Sequence, residues 1–325
     1  MVAMSSVEAT AERLATLLLS GGDALSAPTR SDLVFVDDIV INPLGAGPPP
    51  ADAWAVDGGQ ALVADARCFQ VYATRASRIR WRDGVSVHED EGPLRVHLFG
   101  AGGEADALVA VGAPLADRSS VDVNLAREWG EWEQVSACVA DCEPGGLVLV
   151  DGDLQPDWRL PPSWIAALLE VAVDRNVGLV GVTKHSSLTR GGAPLLGWLE
   201  REAEAALGSR TRWWAQVAAT APEVGPGLEV VVAQLDPDAR FAFRVDLTGG
   251  SDVPHVLGQL STLANDAAFP GYPYPLSVAD RVAACGTWVR AELWDRLESE
   301  FDRLGVPAEV RDRAFSDRHR LMERA

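Results

Sequence analysis

The sequence predicts one α/β domain on a mixed sheet, with an N-terminal helical arm (residues 1–30) ahead of a core (31–325) that ends in helices. Three observations predict it. Leu147-Val148-Leu149-Val150 is a continuous apolar run closed by Asp151-Gly152, as expected of a central strand buried on both faces. A helix over 161–174, with proline in its first turn, and a second buried run over 177–182 complete a β-α-β unit. Partial alternation over 69–81 instead reads as a half-buried antiparallel strand, so the sheet is mixed. At 325 residues and 47% apolar, the chain can bury a full core, and no repeat, low-complexity tract or linker divides it.

Taken in order, residues 5–20 read as an amphipathic helix with Val7, Leu14, Leu17 and Leu18 on one stripe, stopped by Gly21-Gly22. A proline-rich loop over 43–52 leads into Ala53-Trp54-Ala55-Val56-Asp57, a short buried strand that Gly58-Gly59 ends as a turn. Strands are expected over 69–81 and 94–99. Val123, Leu125, Trp129, Trp132, Val135 and Val139 recur at helical spacing, so 119–142 is a long helix, broken by Gly145-Gly146. Beyond the β-α-β unit come a helix over 193–207, strands over 228–235 and 241–247, and helices over 272–284 and 288–304. Trp213-Trp214 falls between a helix and a strand, where it would be exposed at a protein contact.

Composition excludes several classes. The 28 basic and 47 acidic residues give a formal charge of −19, which argues against a protein that coats nucleic acid with basic patches. An enzyme whose bound divalent ions supply positive charge locally is not excluded. Cys68, Cys138, Cys142 and Cys285 form no CxxC pair, so neither a zinc ribbon nor a disulfide framework is indicated. No secretion signal and no apolar stretch of membrane-spanning length is present, so a soluble cytoplasmic protein is expected.

Two buried strands end alike, in Ala-Val-Asp57-Gly and Leu-Val-Asp151-Gly. An aspartate at the carboxyl end of a central strand projects into the crevice where open α/β sheets bind ligands. Two such carboxylates repel each other unless a cation lies between them, and their oxygens suit Mg²⁺ or Mn²⁺. Taken singly, either Asp-Gly also marks an ordinary turn. Glu128 or Glu131 on the long helix is placed to add a ligand, and periodicity does not choose between them.

The order Ala-Val-Asp57-Gly-Gly, helix glutamate, Leu-Val-Leu-Val-Asp151-Gly-Asp-Leu, Val-Gly-Val-Thr-Lys184, Phe-Arg244-Val-Asp246 and Gly271-Tyr-Pro-Tyr-Pro-Leu276 resembles the NurA nuclease family, from about residue 50 to about 290. The resemblance implies an RNase H-like core that binds two divalent ions, Mn²⁺ favoured over Mg²⁺. It implies a homodimer that degrades DNA 5′→3′ and cuts single strands internally. The implied partner is a HerA-type hexameric ATPase, in DNA end processing and double-strand break repair. Residue by residue, Asp57 and Asp151 match the strand aspartates, Glu131 (or Glu128) the helix carboxylate, and Lys184 the lysine after the next strand. Asp280 stands where the family often has a histidine ligand, with His319 as a fallback. Two ions about 3.5–4 Å apart would bracket the scissile phosphate, with Lys184 neutralising charge that develops on it. Arg244 would touch phosphate or pair near Asp246, and Tyr272 and Tyr274 would stack on a splayed base.

Two other readings compete. Asp151-Gly-Asp153 and Thr183-Lys184 imitate a haloacid dehalogenase-type phosphatase, with Asp151 as nucleophile and Asp153 as acid/base. The position two places after Asp153, expected to hold threonine or valine, is Gln155, and Asp57-Gly would then have no role. The other is a non-catalytic partner subunit of a DNA translocase, which would tolerate loss of Asp57 and Asp151.

Overall fold

The structure, a computed structural model, describes residues 7–20, 22–27, 32–155, 157–220 and 225–316. In chain order the elements are α1 (Val7–Ser20), β1 (Leu25–Ser26), β2 (Leu33–Phe35), β3 (Asn42–Pro43), β4 (Ala53–Asp65), β5 (Gln70–Arg82), β6 (Val85–Asp90) and β7 (Arg95–Phe99). They continue with α2 (Glu104–Ala110), α3 (Val123–Asp141), β8 (Leu147–Asp151), α4 (Pro162–Asp174), β9 (Gly178–Thr183), β10 (Thr189–Arg190), β11 (Ala193–Pro194) and α5 (Leu195–Leu207). The last are β12 (Trp213–Thr220), β13 (Leu228–Gln234), β14 (Phe243–Thr248), α6 (Val253–Leu263), α7 (Tyr274–Ala283), α8 (Thr287–Arg303) and α9 (Ala308–Phe315).

Eleven strands form one mixed sheet in the order β2-β12-β13-β14-β9-β8-β4-β5-β6, with β3 joined to β12 and β7 to β5. Only β4, β8 and β9 are parallel neighbours; the flanking strands pair antiparallel. The continuous apolar runs explain this placement. Strand residues alternate between faces, so β8 needs helices on both sides to hide Leu147 and Leu149 on one and Val148 and Val150 on the other. Leu257, Leu260 and Leu276 of α6 and α7 cover the first face. Trp132, Val135 and Val139 of α3, with Leu168 and Leu169 of α4, cover the second. A third core lies under α5, where Leu195 and Leu199 meet Trp213 and Val230. The mixed sheet flanked by helices, the N-terminal helical arm and the helical C-terminal segment agree with the sequence.

Local signals set the helix ends. The Asp122 carboxylate accepts a hydrogen bond from the Leu125 amide (2.9 Å) and starts α3, whose apolar stripe then faces the sheet. Asp252 caps α6 in the same way through His255 N (3.2 Å).

Two expectations are corrected. Gly58-Gly59 does not end the strand: β4 continues through both glycines to Asp65, paired with β5 from Ala53↔Trp81 to Asp65↔Gln70. A side chain on Gly58 would overlap Glu131, and one on Gly59 would meet the Ala283 backbone, so crowding on both faces explains the glycines. Trp213-Trp214 is not an exposed contact. It opens β12, Trp213 is buried and donates Nε1–H to Gln234 Oε1 (3.2 Å), and Trp214 packs on the first core. The elements β6, α2, α6, α9 and β12, and the short strands β1, β2, β3, β10 and β11, were not expected. All four cysteines are free, and Cys138 and Cys142 are packed in the second core. Among the described residues no helix is long and apolar enough to cross a membrane.

Candidate metal centre

The parallel pair β4–β8 is in register at Val56↔Val150, so the next residue on each strand, Asp57 and Asp151, leaves the pair side by side. Alternation turns both carboxylates to the face covered by α7. On that helix Leu276, Ala279 and Ala283 are buried against the sheet, and Asp280 follows Ala279 at the rim, its side chain 65% exposed. One carboxylate oxygen from each of Asp57, Asp151 and Asp280 lies within 4.8 Å of the others. Residues distant in sequence thus form one acidic group.

The structure separates the two helix glutamates. Glu131 is buried against Gly58, ion-paired with Arg127 one turn earlier, and close enough for its charge to act on Asp57. Glu128 is engaged elsewhere: it accepts from the Asp157 amide (2.7 Å) and Trp132 Nε1 (3.2 Å), anchoring the loop after β8.

Lys184, one residue past β9, places Nζ 2.5 Å from Asp151 Oδ2 and 3.9 Å from Asp280 Oδ1. It is the only lysine among 325 residues, a signal that sequence reading had available and did not use. Its ammonium also lies 5.0 Å from the centre of the Tyr272 ring. Tyr272 is 2% exposed, and its hydroxyl, near Asp151, has no hydrogen-bond partner within bonding geometry among the described residues. Packed among Phe243, Phe269 and Lys184, the ring has no free face for a base, which corrects that expectation. Tyr274 is partly exposed and meets Trp81 edge-on (5.4 Å).

Electrostatics follow from this crowding. Burial, then the charges of Asp151 and Glu131, push the Asp57 carboxyl up to about 9. Burial likewise pushes Glu131 up to about 7. Half-burial opposes the Lys184 charge, yet the hydrogen bond to Asp151 and the charges of Asp151, Asp57 and Asp280 prevail and raise its pKa. Carboxylates held together against their own repulsion, beside an orphaned buried hydroxyl, fit a hard divalent cation with oxygen ligands.

Arg244 is placed differently from a phosphate ligand. It is buried and grips Asp246 through two bonds of 2.7 Å, with Asp153 at 3.3 Å and Gln155 Oε1 at 3.3 Å. Asp246 also accepts from the Leu154 amide (3.1 Å), so the cluster braces the turn that follows Asp151. Asp153, the acid/base of the phosphatase reading, is thereby committed to Arg244. His319 lies outside the described residues.

No protein-family model and no curated protein matches the sequence. Among solved structures, the NurA nuclease from Sulfolobus solfataricus matches with a TM-score of 0.56 and 15% identity, over 92% of this chain and 95% of that one. A second NurA structure matches at 0.47 and 9% identity, over 74% of this chain and 86% of that one. The catalytic domain of human endonuclease V matches at 0.39 and 16% identity, over 79% and 85%. Over most of its length, this chain has the fold of the Sulfolobus NurA nuclease.

Proposed function

We propose that the chain is a divalent-metal-dependent deoxyribonuclease, a 5′→3′ exonuclease and single-strand endonuclease that hydrolyses phosphodiester bonds. The observation that carries this reading is the convergence of Asp57, Asp151 and Asp280 within 4.8 Å, with Lys184 bonded to Asp151 and with Glu131, outside that group, close enough for its charge to act on Asp57. In this proposal Asp57, Glu131, Asp151 and Asp280 hold two ions, Mn²⁺ or Mg²⁺. Held by these carboxylates, divalent ions would supply Lewis acidity to the scissile phosphate and to the attacking water. The chain's own groups do the rest. The carboxylates fix the geometry, and Lys184, tethered to Asp151, offers Nζ to a non-bridging phosphate oxygen as charge accumulates on it. The buried Tyr272 ring walls the site and holds that ammonium in place.

The motif order extends the proposal to one nuclease domain that works as a homodimer with a HerA-type hexameric ATPase in DNA end processing and double-strand break repair, in the cytoplasm. The charge of −19 supports this part, because a partner or a dimer channel would supply the positive surface that the chain lacks. Low activity alone and strong stimulation by the ring-shaped motor are expected.

The test is to incubate the purified chain with end-labelled single- and double-stranded DNA in Mn²⁺, Mg²⁺ or EDTA. Cleavage should need metal and should disappear in Asp57→Asn and Asp151→Asn with unchanged far-UV circular dichroism. Cleavage in EDTA, or undiminished cleavage by either variant, overturns the proposal.

A further inference from the structure

The exposed aromatic side chains among the described residues are Trp158, Phe241, Phe269, Tyr274 and Trp288. Phe269 is the one in ring contact with Tyr272: the centroids are 6.1 Å apart, edge to face, and the Lys184 ammonium lies over that same tyrosine. A chain of direct contacts therefore runs from Asp151 through Lys184 and Tyr272 to a phenylalanine that is 51% exposed. A large apolar ring exposed beside a polar crevice offers a flat face on which an aromatic ligand can stack.

The ring also sits on a closed and packed loop. Its loop joins α6 to α7 and is closed by hydrogen bonds from Gly271 N to Ala264 O (2.7 Å) and from Ala268 N to Asp266 Oδ1 (2.9 Å). Gly271 has φ +92°, and a side chain there would lie 2.5 Å from Ala239 Cβ, so this loop is packed against the β13–β14 loop. Next to Ala239, Arg240 is exposed, lies 5.3 Å from the centre of the Phe241 ring, and forms no ion pair among the described residues. Most arginines of this acidic chain are matched with carboxylates. An unmatched arginine on the loop packed against the one that carries Phe269 suits an aromatic group that carries its own negative charge.

We propose that Phe269 is a base-stacking residue. The base of an unpaired nucleotide next to the scissile phosphate lies on its exposed face, and Arg240 of the neighbouring β13–β14 loop meets a backbone phosphate further along the strand. The site thereby favours unpaired over duplex nucleic acid. This inference rests on the nuclease reading above and replaces Tyr272 in the stacking role. Stacking suits the geometry because every base has a π-face, whereas a base within a duplex has both faces covered.

The experiment measures fluorescence anisotropy of a labelled oligothymidylate with the full chain, in an Asp57→Asn background that leaves the strand uncut. Phe269→Ala and Phe269→Leu should each weaken binding about tenfold, the size of one lost base stack, and Phe269→Trp should not. Leucine keeps apolar volume in the loop, so agreement of the two losses separates stacking from folding. An oligonucleotide with abasic sites should lose as much affinity for the parent, and Phe269→Ala should add no further loss on that strand. Unchanged binding by Phe269→Ala, or an equal loss on intact and abasic strands, overturns the proposal. If the parent binds no DNA at all, the nuclease reading itself falls, a result distinct from a normal Phe269 variant.

Discussion

Glu131 and Gly58 share one space: a Cβ on Gly58 would lie 2.7 Å from both Cγ and Cδ of Glu131. The glycine has no positive φ, so the missing side chain, not a special backbone shape, is what the position requires. Gly58→Ala is expected to push the Glu131 carboxylate away and weaken Mn²⁺ binding roughly 10–100-fold, as loss of ligand support does elsewhere. The clash with a buried side chain outweighs the better strand propensity of alanine, so unfolding free energy should fall by about 1–3 kcal/mol. Calorimetric titration with Mn²⁺ beside urea denaturation checks both parts. Unaltered metal affinity would show that Glu131 is not a ligand.

The carboxylates impose a pH dependence whose sign is fixed. Folded and free of metal, Asp57 titrates at about 9 and Glu131 at about 7, whereas both titrate near about 4 in an unfolded chain. Between those limits the folded state holds protons that the unfolded state has released, so stability is greatest at the acid end and falls as pH rises. The melting temperature in EDTA should therefore drop from pH 5 to about 9, and saturating Mn²⁺ should flatten the slope. A melting temperature that rises with pH in EDTA rules this out.

Removal of one ionisable group, which the folded chain must keep protonated, should stabilise what it inactivates. Asp57 is buried, and its charged form is opposed by burial and by Asp151 and Glu131. Asp57→Asn is expected to add about 1–3 kcal/mol to the metal-free protein at pH 8 while abolishing cleavage, the usual opposition between stability and function at a site. Urea denaturation in EDTA measures the gain. A loss of stability there would mean that the carboxylate serves the fold and not a cation.

Much of this was legible from one sequence, for local reasons. β8 and β9 announce themselves because a strand buried on both faces must be apolar throughout, and the N-cap and stripe of α3 are equally local. What was hidden depends on distant neighbours. Gly58-Gly59 reads as a turn until Glu131 and Ala283 are known to lie on its two faces. α6 contains Pro254 and Gly258, which look like breakers, yet proline fits a first turn and Gly258 admits the Gly47 backbone, whose Cα lies 3.1 Å from where its Cβ would be. Glu128 and Glu131 are three residues apart on one helix, so only the sheet beneath them distinguishes an anchor from a candidate ligand. The motif around Tyr272 was visible, but nothing local shows that Phe243 and Phe269 bury its ring. The Asp-x-Asp pattern suggested a phosphatase because the claim of Arg244 on Asp153 comes from a strand some ninety residues away.

Asp52 makes a separate structural prediction. Its carboxylate is fully buried at the start of β4 and accepts from Arg80 Nε (2.9 Å), Arg80 Nη2 (2.8 Å), Arg82 Nε (2.9 Å) and the Glu143 amide (3.2 Å). Burial opposes its charge, but these donors prevail and hold its pKa down at about 2. Asp52→Asn leaves two arginines facing a neutral amide and is expected to cost about 3 kcal/mol at neutral pH. The wild-type contribution should fade as pH falls from about 4 to about 2, so the two proteins should converge in acid. Equal stability at pH 7 would show that solvent screens the whole cluster.

The same pairing sets how the isolated chain meets DNA. Arg78 is matched with Asp90 and Asp141, Arg80 and Arg82 with Asp52 and Glu143, and Arg95 with Glu133. Arginines that neutralise their own carboxylates release few counterions from a nucleic acid, and the charge of −19 repels the rest of the backbone. Lys184 and Arg240 are then the cations best placed to meet phosphate, so binding of a single strand should be weak. The slope of log affinity against log salt should be shallow, roughly −0.7 to −1.5 for one or two neutralised phosphates. Anisotropy titrations between about 50 and 200 mM salt measure it. A slope steeper than roughly −4 would require several arginines to leave their carboxylates on binding, and the ion pairs described above would then be features of the free protein alone.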